Sequence, residues 1–186
     1  MTKTRCSWCL GDPLYVKYHD QEWGCPIHDD PLLFEFLILE GMQAGLSWLT
    51  ILKKRPSFRE AFAGFDPQKV AQFSEKDVER LMKNPGIIRN GLKIRAAIDN
   101  ATAFLEIQAK HSTFDRYIWQ FTDGKTIQNA WASREELPCS SPISDRMAKD
   151  LKQNGFKFVG SKICYAFMQA VGMVNDHTTD CFRYKA

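Results

Sequence analysis

Two groups of side chains in this sequence could do chemistry, and a third could hold an anion. The first group centres on a single carboxylate, Glu40, inside the otherwise apolar run from Leu32 to Arg55, LLFEFLILEGMQAGLSWLTILKKR. An ionised side chain that cannot reach water is costly unless a partner or a ligand compensates it. Gly41 and Gly45 bracket Gln43 and admit close backbone approach, while Trp48 supplies a large flat face, so the stretch describes a small pocket for a planar polar molecule. The plainer reading keeps Glu40 at a helix edge, facing solvent or capping a neighbouring helix, with Trp48 in the core.

The second group is thiol and imidazole. Cys6-x2-Cys9 with Cys25-x2-His28 has the spacing of a local zinc knuckle. Alternatively, Cys6 and His19 join His177-x3-Cys181, whose i, i+4 spacing puts both side chains on one face if that end is helical, and which would tie the two chain ends together. Both arrangements give four nitrogen and sulfur ligands. The third feature is Asn84-Pro85-Gly86, a tight turn between two helical patterns, followed by Arg89, Lys93 and Arg95. Backbone amides at the start of the second helix, with those cations just beyond, describe a phosphate site.

These residues need elements to position them. With 186 residues, no linker-like tract and no repeat, the chain is expected to form one domain over 1–186. Lys and Arg number 25 against 22 Asp and Glu, a net charge of +3, which excludes a histone-like balance and leaves nucleic-acid binding to a local patch. Cys6 and Trp8 follow Arg5 with no apolar leader, and Glu35, Glu40 and Gln43 interrupt the apolar run, so a cytoplasmic protein with no membrane partner is expected. Six cysteines without a secretion signal argue for thiols or metal ligands over a disulfide framework.

Asp66-Pro67 reads as a helix N-cap with proline at the first position, and Ser74 with Asp77 as a capping box. Val78, Leu81 and Met82 form the apolar face of that second helix, and Ile87, Ile94, Ala97, Ala101 and Phe104 continue a stripe beyond the glycine turn. A helix to about Phe121 precedes a loop. Ser144 offers a cap for a helix over 145–154, FKFVG at 156–160 reads as a short extended link, and Ser161 offers a cap for a last helix ending at Gly172. No segment combines several strand signals, so the fold class is all-α.

The segments DPLYVKYHDQEWG, LEGMQAGLSW, NPGIIRNGLKI and GFKFVGSKICYAFMQAVGMVNDH together resemble the bacterial DNA-3-methyladenine glycosylase I family, over about Cys6 to Cys181. The resemblance implies a helix-hairpin-helix fold, with the hairpin at about 74–105, and hydrolysis of the N-glycosidic bond of 3-methyladenine in alkylated double-stranded DNA. It implies one structural zinc ion per chain on Cys6, His19, His177 and Cys181, within end segments at about 6–19 and 177–181, which leaves Cys9 and Cys25 as extra thiols. It puts the base pocket on Tyr15, Tyr18, Glu40 and Trp48, with Glu40 also the catalytic candidate. DNA contacts fall on Gly45 and Leu46, where the protein would press into the gap left by the flipped nucleotide, and on Gly86, Arg89 and Lys93 at the hairpin. A monomer is expected.

Many helix-hairpin-helix glycosylases carry an essential Asp about twenty residues beyond the hairpin, where this chain has Ala103, Phe104 and Leu105; the resembled family shares that lack. Asp99 reads as a solvated helix position. No hairpin lysine is evident for Schiff-base chemistry, with Lys93 read on the phosphate face, so no lyase activity is expected. Of two rival readings, a DNA-binding module without chemistry would not need an enclosed Glu and Trp pocket. A zinc hydrolase would need an open metal position, which four protein ligands do not leave.

Overall fold

Polar residues set where the helices begin. In the computed structural model, which describes residues 3–185, Asp12 caps α1 (Pro13–Gln21), Asp29 caps α2 (Asp30–Gln43) and Ser47 caps α3 (Trp48–Ala61), each accepting a bond from an amide of the first turn. Asp66 and Pro67 open the one-turn α4 (Pro67–Val70). Ser74 and Asp77 form the expected box at α5 (Glu75–Lys83). Asn90 caps α6 (Gly91–His111) and Thr113 caps α7 (Phe114–Trp119). α8 (Pro142–Gln153) and α9 (Ser161–Ala170) complete the helical set among the described residues.

Helix α2 is the centre of the molecule. Residues 33 to 40 are buried without a break, so the helix is covered all round, as a core helix must be. α3, α6, α7 and α9 pack around it, and Phe34 meets Phe104 edge-on at 5.1 Å between ring centroids.

Several expectations need correction. The run from Leu32 to Arg55 is two helices, broken at 44–47. Gly45 adopts φ +81° there, a left-handed conformation that costs glycine little. α8 starts three residues earlier than expected: Ser141 is its cap, Pro142 its first residue, and Ser144 the buried reciprocal partner in a capping box. Ser161 lies inside α9, where its hydroxyl donates to Asp145, and Gly160 holds the cap position. The 156–160 link is not uniformly extended, since Phe158 has φ +52°. Met82 is exposed. The fold is mostly helical but not wholly so, because Ile127–Gln128 and Val174–Asn175 form a two-stranded parallel pair. The segment His177 to Cys181 is not helical; a turn, with the Cys181 amide donating to the Thr178 carbonyl at 2.8 Å, brings the two side chains together instead.

Candidate functional site

Two carboxylates on α2 are buried, and they have opposite surroundings. Glu35 accepts from Arg55 Nε at 2.5 Å and from Arg59 Nε at 3.0 Å, both on α3, so its charge is answered. Glu40 is 4% exposed, and among the described residues no donor reaches its carboxylate. Burial alone pushes Glu40 up to about 8 from the ordinary 4.5, which makes it a neutral acid at pH 7 until a cation or a donor arrives.

Glu40 opens into a cleft of about 530 Å³ whose walls include Tyr15, Tyr18, Gln43, Gly45, Leu46 and Trp48. Tyr15 and Tyr18 come from α1, and Trp48 is the first residue of α3. The Tyr18 and Trp48 rings lie 5.6 Å apart at their centroids, with Phe36 stacked behind Trp48 at 6.4 Å. Trp48 Nε1 is buried with no hydrogen-bond partner among the described residues. The unpaired acid facing this cleft is an unmet demand that a planar polar ligand could satisfy. Leu46, 42% exposed, stands at the lip. Gly41, expected to admit a ligand, instead gives room to Phe158, which a Cβ there would meet at 3.5 Å.

The ends of the chain meet at a second site. Cys6, His19, His177 and Cys181 are buried, and one potential ligand atom from each lies within 4.8 Å of all the others, a set that could hold a metal ion. The tautomers fit that role. The His19 Nδ1–H donates to Asp20 at 2.8 Å, freeing Nε2, and the His177 Nε2–H donates to the Trp23 carbonyl at 3.1 Å, freeing Nδ1. Asp20 is itself held by Arg5 and lowered to about 2, so it stays ionised. The Thr178 and Arg183 amides donate to the Cys6 and Cys181 sulfurs, as they would to thiolates. The local knuckle does not form: Cys9 Sγ donates to the Cys6 carbonyl, Cys25 accepts from Arg183, and His28 pairs with Asp115.

The third site, around Gly86, is docked onto α3. A Cβ at Gly86 would sit 2.8 Å from Ser57 Cβ, and Lys54 Nζ donates to the Pro85 carbonyl at 2.8 Å. Arg89 is exposed beside it. Lys93 departs from the phosphate-facing position expected of it. It is buried, and its Nζ donates to the carbonyls of Met42 and Ala44 at 2.8 and 2.7 Å. Arg95 is exposed and pairs with Glu75, and Asp99 is exposed as read.

Residues 8–184 match the family model described as methyladenine glycosylase. This chain belongs to the methyladenine glycosylase family. It is 49% identical to DNA-3-methyladenine glycosylase 1 of Escherichia coli (strain K12) over 97% of this chain and 96% of the relative. Against the DNA-3-methyladenine glycosylase of Haemophilus influenzae it is 45% identical, over 96% of each. The crystal structure of a 3-methyladenine DNA glycosylase I superposes with a TM-score of 0.95 at 52% identity, covering 97% of this chain and 99% of that one. A structure of the Staphylococcus aureus enzyme, solved for the structural basis of 3-methyladenine recognition, gives 0.94 at 37% identity, covering 98% and 96%.

In this methyladenine glycosylase family member, sequence reasoning missed part of the cleft wall. Trp8 and Trp23 line it beneath Tyr15, and their place in the cysteine- and aromatic-rich opening segment was the available signal. Tyr165 and Gln169, one turn apart on α9, form another wall, and both donate to the buried carboxylate of Asp176. Asn129 and Trp131 donate to its other oxygen, so Asp176 ties the 129–131 segment to the α9 wall beside the ligand-set residue His177. Arg134 and Lys162, exposed at the rim, have no sequence signal of their own.

Proposed function

We propose that this chain is a monofunctional DNA-3-methyladenine glycosylase that removes the base from alkylated double-stranded DNA in base excision repair. The observation that carries the proposal is Glu40, a buried acid with no partner among the described residues, facing an aromatic cleft in a chain of this family. The reading takes the whole chain as one glycosylase domain. Tyr15, Tyr18, Glu40 and Trp48 bind the base, Gly45 and Leu46 press into the gap left by the extruded nucleotide, and Gly86 and Arg89 meet the DNA backbone as part of a helix-hairpin-helix unit.

The chemistry asks little acid or base catalysis of the protein. Adenine alkylated at N3 in DNA is cationic and leaves as a neutral base: the N-glycosidic bond breaks with its electron pair going to the base, a water oxygen bonds to the sugar carbon, and the water's proton is released. The protein must draw the nucleotide out, at an unstacking cost of about a few kcal/mol, and hold it. Stacking on Trp48 and a tyrosine offsets roughly 1–3 kcal/mol of that cost. The cationic ring draws Glu40 into its ionised form, and the carboxylate accepts from the exocyclic amine and opposes the ring charge. A normal adenine brings no such charge, so Glu40 discriminates against it. Lys93 of the hairpin is taken up by the Met42 and Ala44 carbonyls, and no hairpin lysine lines the cleft, which supports hydrolysis with no lyase step.

The four-residue ligand set has the donors of a structural zinc site, and the neutral tautomers and amide-stabilised sulfurs support that choice of metal. When bound, zinc would close the clamp between the chain ends, leaving no open position for a reacting water. The test is incubation with methylated duplex DNA. Release of free 3-methyladenine, with the strand intact until alkali cleaves the abasic site, is the expected result; no released base, or direct strand cleavage, refutes the assignment.

A further inference from the structure

The ammonium of Lys93 is buried with no carboxylate paired to it among the described residues. Its two partners are carbonyls at the end of α2, Met42 and Ala44, which have no amide partner further along that helix. A cation suits that position because carbonyl dipoles converge there. These carbonyls begin the turn at 44–47. Its other fixings are the Leu46 amide on the Gln43 carbonyl at 2.6 Å, the left-handed Gly45, and Ser47 capping α3. Leu46 projects from this turn at the lip of the cleft. Lys93 itself lies in the first turn of α6, where the Asn90 side chain accepts its amide, immediately beyond the 84–90 turn that is seated on Ser57 and Lys54 of α3.

We propose that Lys93 is a positioning residue that locks the Leu46 turn to the hairpin, so that gripping the DNA backbone and extruding the nucleotide are a single mechanical act. The proposal rests on the base-excising reading above. Without the lysine, the hairpin would still hold DNA and the cleft would still accept a free base. The wedge would no longer stand at a fixed distance from the grip, and the work of unstacking would be lost to movement of the turn.

The experiment compares wild type, Lys93→Met, which keeps the bulk but removes the donors, and Lys93→Arg, which keeps a cation able to donate to carbonyls. Three quantities are measured on zinc-loaded protein: affinity for free 3-methyladenine, affinity for undamaged duplex, and extrusion, read as the fluorescence rise of 2-aminopurine placed at the target position in duplex DNA. Lys93→Met is expected to keep the two affinities within about twofold while extrusion and excision from methylated duplex fall roughly tenfold to a hundredfold. Lys93→Arg should recover much of the loss. Unchanged extrusion in Lys93→Met overturns the proposal. A parallel fall of all three quantities, unrelieved in Lys93→Arg, also overturns it by reducing Lys93 to a folding role. Failure of the functional reading is distinguishable, because wild type would then release no base.

Discussion

Glu40→Gln should stabilise the protein, and by more as the pH rises. The Glu40 carboxyl sits at about 8 in the folded chain against an ordinary 4.5, and burial is the cause. Between those values the folded state holds a proton that the unfolded state has released, so this group's contribution to stability falls as pH rises through the window and levels off above about 8. Each pH unit within it costs about 1.4 kcal/mol. Glutamine cannot ionise and escapes the loss, while the effect of placing an amide in the same cleft is common to every pH. The gap between variant and wild type should therefore widen by about 3 kcal/mol between roughly pH 5.5 and 8.5. For a chain of this length that is a change of about 5–10 °C in the difference of melting temperatures. The assay is calorimetric melting of both proteins, with zinc supplied equally to each, across that range. The same variant should excise 3-methyladenine from methylated duplex about tenfold to a hundredfold more slowly, since it loses the carboxylate that the cationic base would draw into its ionised form. A gap independent of pH would show that Glu40 is already ionised when the cleft is empty, and the account of an acid awaiting a cation would be wrong.

Cys181→Ser should lower metal content, measured by atomic absorption, and reduce the melting temperature, whereas Cys9→Ser should leave the metal bound because its thiol is turned to a backbone carbonyl. Gly86→Ala should lift the hairpin off α3, since its Cβ would lie 2.8 Å from that of Ser57, and should weaken binding to damaged and undamaged duplex alike in a filter-binding or anisotropy titration. A loss that depended on base sequence would contradict that backbone role. Glu35→Gln should destabilise by about 1.5–3 kcal/mol in chemical denaturation, because the buried Arg55 keeps Glu22 but loses its charged bond to Glu35.

What was legible in the sequence is what local pattern and composition encode. Glu40 was conspicuous because an acid stood among large apolar residues, and Ser74, Asp77 and Asp66-Pro67 marked helix starts because capping is decided within one turn. The start of α8 was misread because Ser141 and Ser144 are both plausible caps; Pro142, well placed as a first helical residue, was the deciding cue. The two-residue strands left no trace, since Ile127 and Val174 owe their pairing to each other across the fold and to no local alternation. Lys93 was misjudged for a related reason. Its neighbours Arg89 and Arg95 face solvent, and nothing in the local sequence tells that the carbonyls of Met42 and Ala44 have come within reach of its Nζ.

The two carboxylates of α2 show how one buried helix serves both as scaffold and as candidate site. Glu35 draws Arg55 and Arg59 of α3 onto α2, and Arg55 also reaches Glu22 just beyond α1 at 2.5 Å. Buried ion pairs of this kind are weak contributors to net stability, yet their geometry is demanding, so they can fix the register of the elements that carry them. Here those elements are the ones that matter. α1 supplies Tyr15 and Tyr18, α3 begins with Trp48, and the Arg55 network fixes both against the helix that carries Glu40. The paired acid can thus hold the aromatic walls in place around the unpaired one. Glu40 must stay unpaired if a cationic base is to find it: an arginine reaching it, as Arg55 reaches Glu35, would keep the carboxylate ionised and remove the preference for a positively charged ring.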